Sequence, residues 1–173
     1  MHTTLRNVGL VVAATLLLLS GGCAAYVNIP AVRGSAARSN PNTENVRLIQ
    51  AEALQFVIAD SAIRGPVTVR LAGGASQETY DWVLDQLGGK GKQYGREDAA
   101  GPLYEVRGVR IRANVGEVDV AQSSVAGAAR MVTVSLDYDV ASGWDVVSLQ
   151  VWGTISDPSQ DVFVPAGEKP SEW

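Results

Sequence analysis

Val132, Val134, Leu136, Tyr138 and Val140 alternate with Thr133, Ser135, Asp137 and Asp139. Ala141–Ser142–Gly143 then breaks the run, and Trp144 to Ile155 resumes an extended pattern. Extended chain turns successive side chains to opposite faces, so a two-residue period suits a half-buried strand and no helix. Two such runs across a short turn form an antiparallel hairpin. Any fold for this chain must therefore give that hairpin one buried face.

The period of two begins at Leu103. Tyr104 and Val106 alternate with Glu105 and Arg107, and after Gly108 the apolar phase moves to Val109 and Ile111. A phase shift of this kind predicts a β-bulge at Arg107–Gly108. Val118 and Val120 continue extended chain after Gly116. The N-terminal half reads differently. Val46, Ile49, Ala53, Leu54, Val57 and Ile58 share one side at helical spacing, with Asn42 or Thr43 as cap and Gln50, Glu52 and Gln55 pointing elsewhere. Val67, Val69 and Leu71 predict a strand. Ser76 suits the cap of a second helix, with Tyr80, Val83, Leu84 and Leu87 as its stripe and Gly88–Gly89 as its stop. Gly88 to Pro102 reads as a glycine-rich loop. Helix, strand and helix followed by neighbour-paired strands predict an α+β domain, two helices packed on one face of a mostly antiparallel sheet.

The first 23 residues carry a different message. Arg6 precedes an apolar run from Val8 to Leu19, followed by Ser20, Gly21, Gly22 and the single cysteine, Cys23. Such a run has the length of a signal-peptide core and falls short of a membrane span. The stretch Leu19–Ser20–Gly21–Gly22–Cys23 resembles the export signal of bacterial lipoproteins, with Ser20 where that class prefers a branched aliphatic side chain. The resemblance implies removal of residues 1–22 and acylation of Cys23, which becomes the membrane anchor. Ala24 in place of an aspartate implies the outer membrane where the envelope has two. The expected organisation is a signal peptide at 1–22, a flexible tether at 23–41, a single domain at 42–157 and a Pro-rich tail at 158–173, with Val162–Phe163–Val164 as a short edge strand.

Composition then excludes. Loss of the signal removes Arg6 and leaves 13 basic against 18 acidic side chains, a formal charge of −5 that offers nucleic acid no electrostatic hold. The sole histidine, His2, lies inside the signal, and the sole thiol is the one to be capped. Serine–histidine and cysteine–histidine catalysis, histidine–zinc sites and an imidazole switch are thereby removed from the mature chain. No cofactor or metal site is expected.

Several constellations remain. Asp137 and Asp139 share a strand face with Asp145 across the turn, but Ala141 stands where a helix–loop–helix calcium site needs its third ligand and Ser142 where it needs glycine. A solvated hairpin face is the expectation. Glu117 and Asp119 share a second face and could join those acids in a carboxylate-based hydrolase, while Arg70, Arg110 and Arg112 favour cross-strand ion pairs instead. Gly89–Lys90–Gly91–Lys92 follows a helix and lacks the Gly-Lys-Ser/Thr ending, so it is no phosphate loop. Trp82, off its helix stripe, and Trp152, in phase with Ser148 and Gln150, are the candidate contact surface. The expected function is a lipid-anchored, non-catalytic envelope module that docks on another envelope protein. A small-ligand or glycan-binding lipoprotein is the alternative, and a carboxylate hydrolase the third reading.

Overall fold

The computed structural model describes residues 26–31, 37–61, 63–97, 101–123 and 129–155, with backbone alone at 153–155. Cys23, the signal segment and the tail from 158, with its expected edge strand, lie outside the described residues.

Nine elements follow one another: β1 (Tyr26–Ile29), α1 (Glu44–Asp60), β2 (Val67–Arg70), α2 (Gln77–Gln86), β3 (Gly91–Gln93), β4 (Leu103–Arg112), β5 (Val115–Ser123), β6 (Ala129–Asp139) and β7 (Gly143–Ile155). They build one seven-stranded sheet in the order β3-β2-β4-β5-β6-β7, with β1 also on β4. The fold is α+β. The β4–β5–β6–β7 meander and the β1–β4 pair are antiparallel, while β2 runs parallel to both β3 and β4. Both helices pack on one side of this mostly antiparallel sheet and share a core with it.

The bulge expected at Arg107–Gly108 is present, as a register shift between Val106 and Gly108 on β4. It lets Tyr104 and Val106 on one side of the shift, and Val109 and Ile111 on the other, all face the helices. The β6–β7 hairpin pairs Tyr138 with Trp144 and Val134 with Leu149. Opposite those strands α1 buries Val46, Ile49, Ala53, Leu54 and Val57, the stripe read from the sequence. At Gly116 the Ile49 side chain of α1 packs directly on the β5 backbone. A Cβ there would lie 2.0 Å from Ile49 Cδ1 and 3.1 Å from the Trp144 ring.

Three expectations change. The segment 23–41 is not a tether throughout. Tyr26–Ile29 is a strand paired with β4, Val27 and Ile29 are buried, and Arg38 closes back on Val27. Four residues are too short to show a period, and a half-filled β4 edge is visible only once the sheet exists. The glycine-rich loop contains β3, because Gly91 without a side chain passes under Leu84 and Leu87, where a Cβ would sit 2.9 and 3.0 Å from their methyls. Gln50 is fully buried. Its Nε2 donates to the Val46 carbonyl (3.3 Å) and its Oε1 accepts from the Ala72 amide (3.0 Å), so both ends of a buried amide are satisfied.

The two expected caps divide the work. Thr43 is the N-cap of α1 and makes no side-chain bond. Asn42 instead accepts from the Ser76 amide (2.7 Å) and the Thr79 hydroxyl (2.9 Å), tying the start of α1 to the start of α2. Ser76 caps α2 as expected, accepting from the Thr79 amide at 3.3 Å.

Candidate functional site

The sheet face away from the helices carries a cluster of ion-paired side chains. Its polar side chains come from the alternate positions of β2, β4, β5 and β6, and their order follows from strand register. Glu105 receives Arg70 at 3.1 Å and Arg107 at 2.9 Å. Beside that cluster Arg110 meets Glu117 at 2.8 Å and grips both oxygens of Asp119. Asp119 Oδ1 also accepts from the Thr133 hydroxyl at 2.6 Å, and Thr133 Oγ1 accepts from Trp152 Nε1 at 2.9 Å. A continuous chain of polar contacts thus runs from β4 to the edge strand β7.

Burial opposes the charge on Arg110, but hydrogen bonds to Asp119 and Glu117 and their attraction outweigh it, so its pKa is raised above the ordinary arginine value. The two carboxylates it holds are committed to an ion pair. Asp137 stands further along β6, opposite Val115 and Asp145, and Asp139 accepts the Ala141 amide at 2.8 Å. The four acids therefore do not converge as an acid–base pair. Cross-strand ion pairing, read from the arginines on the polar faces, is what the structure holds. Among the described residues no group of three histidine, cysteine or acidic side chains is placed to bind a metal ion.

The two tryptophans are not one surface. Trp82 packs partly buried against the core on the helix side, with the Arg47 guanidinium 5.0 Å from its ring centre. Trp152 lies on the opposite face of the sheet, 48 % exposed, its indole nitrogen held by Thr133. Two residues that the sequence did not single out flank the same edge, Val151 from the helix side of the sheet, because it pairs with core-facing Val132. Val147 and Val151, also on β7, are 56 % and 53 % exposed.

β7 is the last strand of the sheet, so one side of its backbone has no strand partner among the described residues. Over thirteen residues it carries a single charge, Asp145. Natural edge strands are usually short, charged or bent, since an open ladder invites another strand. This one is long and apolar, and among the described residues its protection is limited to register shifts opposite Arg130–Val132 and Ser135–Leu136. The sparse charge of β7 was a signal in the sequence, but its edge position was not.

A groove of about 800 Å³ opens at the far side, between the C-terminal ends of α1 and α2, lined among others by Ile58, Ile63, Arg64, Leu87 and Lys90. Among the described residues it is lined by no carboxylate and no aromatic ring. Gln55 Nε2, which could reach a ligand there, donates to the Gln86 carbonyl at 2.7 Å. Among the described residues no helix is long and apolar enough to cross a membrane. The chain matches no known protein family, no curated protein and no solved structure.

Proposed function

We propose that this protein is a lipid-anchored, non-catalytic module of a bacterial cell envelope, acylated on Cys23, that docks on another envelope protein by strand addition along β7. The observation that carries the reading is the edge itself: a thirteen-residue strand with one charge, and Val147, Val151 and Trp152 open to solvent. Strand addition draws affinity from backbone hydrogen bonds and selectivity from alternate side chains. Trp152 suits the selective part, being a rigid aromatic whose orientation is set by Thr133. The anchor supports the same reading, because confinement to a membrane raises the local concentration of an envelope partner.

A ligand-binding lipoprotein would have to use the groove between the helix ends, which lacks the converging buried polar groups of a small-molecule site. A hydrolase would need free carboxylates on the open face, where Arg110 occupies Glu117 and Asp119.

The test uses photo-crosslinking side chains placed at Val151 and, as control, at exposed Glu78 on α2, in living envelopes. A discrete protein adduct from position 151, absent from position 78 and abolished by Val147→Lys with Trp152→Lys, is the expected result. No adduct from either site, or the same adducts from both, would defeat the docking reading.

A further inference from the structure

The end of the sheet where β1 begins exposes several apolar side chains among its charged ones. β1 begins at Tyr26, which pairs with Arg112, the last residue of β4. Arg112 in turn faces Val115 at the start of β5, and the Tyr138 amide donates to the Asn114 carbonyl at 2.7 Å. Tyr26, Val115, Tyr138 and Val140 therefore gather at one end, beside the two hairpin turns. They are 38, 45, 40 and 91 % exposed. Val140, in the β6–β7 turn, has almost its whole side chain in water. The Tyr138 ring is braced edge-on against Trp144, with centroids 5.3 Å apart, so this end presents fixed apolar groups.

We propose that this end of the sheet is a seat on the lipid bilayer. The proposal rests on the acyl anchor at Cys23 and adds to it the orientation of the domain. Two residues, Ala24 and Ala25, separate Cys23 from Tyr26, and the three steps of chain between them span about 11 Å when fully extended. Acyl chains buried at Cys23 hold Tyr26, and with it the whole end of the sheet, at the headgroups. The corrected boundary of β1 is what removes the slack. A tether reaching to residue 41 would leave the domain free to face any way. Tyr26 and Tyr138 suit the interface, where an apolar ring and a polar hydroxyl are both accommodated. Val115 and Val140 supply the apolar contact.

The charges at this end decide which lipid it takes. Arg112, whose guanidinium lies 5.5 Å from the Tyr26 ring centre, and Arg38 are set against Asp137, Asp139 and Asp145. Acids outnumber bases, so anionic headgroups add nothing, and the seat is on a neutral interface. The seat leaves β7 standing away from the membrane at its Ile155 end, with Val151 and Trp152 within reach of a partner.

The experiment uses the full acylated protein extracted from membranes and reconstituted in phosphatidylcholine vesicles containing a headgroup nitroxide lipid. Mass spectrometry first reads the N-terminal Cys23. A fluorophore is then placed on Val140→Cys or, at the opposite end of the sheet, on Arg64→Cys, both exposed positions. Quenching at 140 on the order of twofold or more above that at 64, unchanged when half the lipid is made anionic, is the expected result for a group at the interface. An acylated Cys23 with equal quenching at both positions overturns the seat and leaves the anchor standing. Quenching at 140 that appears only with anionic lipid overturns the neutral seat. An unmodified Cys23 overturns the anchor and the seat together.

Discussion

The two faces of the sheet are held by different forces. On the helix side Val69, Val109, Val118, Val120, Val132, Val134 and Leu136 are buried under α1 and α2. Two of its buried polar groups are satisfied, Gln50 at both ends of its amide and Tyr104 donating to Ser61 Oγ at 2.8 Å while accepting from Gln122 at 3.0 Å, whereas the buried Trp144 indole nitrogen has no hydrogen-bond partner among the described residues. On the other side no helix lies among the described residues, yet Glu105 and Asp119 are 8 % exposed, because neighbouring arginines and strands cover them. Removal of apolar area from water stabilises the first face in proportion to area. The second face contributes little net stability, since desolvation offsets ion pairing, but it sets where groups stand. Its last member, Trp152, is the one that stands on the edge strand β7.

The largest effect should come from the covered face. Leu54→Ala, at a fully buried position, is expected to cost about 2–5 kcal/mol, read from urea unfolding with an unchanged slope. A loss below about 1 kcal/mol would mean that α1 does not close this face.

Arg110→Ala should come next. It strands Asp119, which among the described residues keeps only Thr133 as partner, and is expected to cost about 2–3 kcal/mol, well above the value of an exposed pair. The double variant Arg110→Met with Asp119→Leu should recover most of that loss, because it removes the charge left behind. If the single variant costs as little as a surface ion pair, the open face is solvated and the contrast between faces fails.

Trp152→Phe removes the bond to Thr133 and is expected to cost about 1 kcal/mol in stability, while lowering the yield of the β7 crosslink far more. Equal effects on both readouts would make Trp152 a packing residue.

The smallest effect concerns Glu52 on α1. Burial, and then repulsion from Asp145, raise its pKa above the ordinary glutamate value. The folded state therefore holds this proton more tightly than the unfolded chain does. That contribution is fully present below the unfolded pKa and is lost as pH rises through the raised folded value. Glu52→Gln should thus stabilise the protein by a few tenths of a kcal/mol at neutral pH, allowing for solvent screening, and change nothing in acid. Stabilisation that grows as pH falls would show that the sign is wrong.

Much of the scaffold was legible because its signals are local. The bulge at Val106–Gly108 follows from a phase change, the α2 start from Ser76, and the β6–β7 hairpin from alternation about Gly143, which takes φ +86°. β1 and β3 were not legible. They have four and three residues, and each is a strand because a neighbour offers it a ladder. Gln50 looked like a surface residue because a polar side chain in a helix usually is one, and its buried partner, the Ala72 amide, lies 22 residues away. The acids on the open face were recognised and their pairing with Arg110 was anticipated as a class. The link from Asp119 through Thr133 to Trp152 needs the register of three strands at once.

By itself the sequence determined both helices and the longer strands, that the sheet has one apolar face, and that the single imidazole, His2, stands near the start of the chain. Periodicity and composition are properties of neighbouring residues, so they are written along the chain. Strand order, and with it the identity of the edge, was decided only in three dimensions. It depends on which ladders close between distant segments, so only the folded sheet could place β7 at the open border and bring Tyr26 and Val140 to the same end.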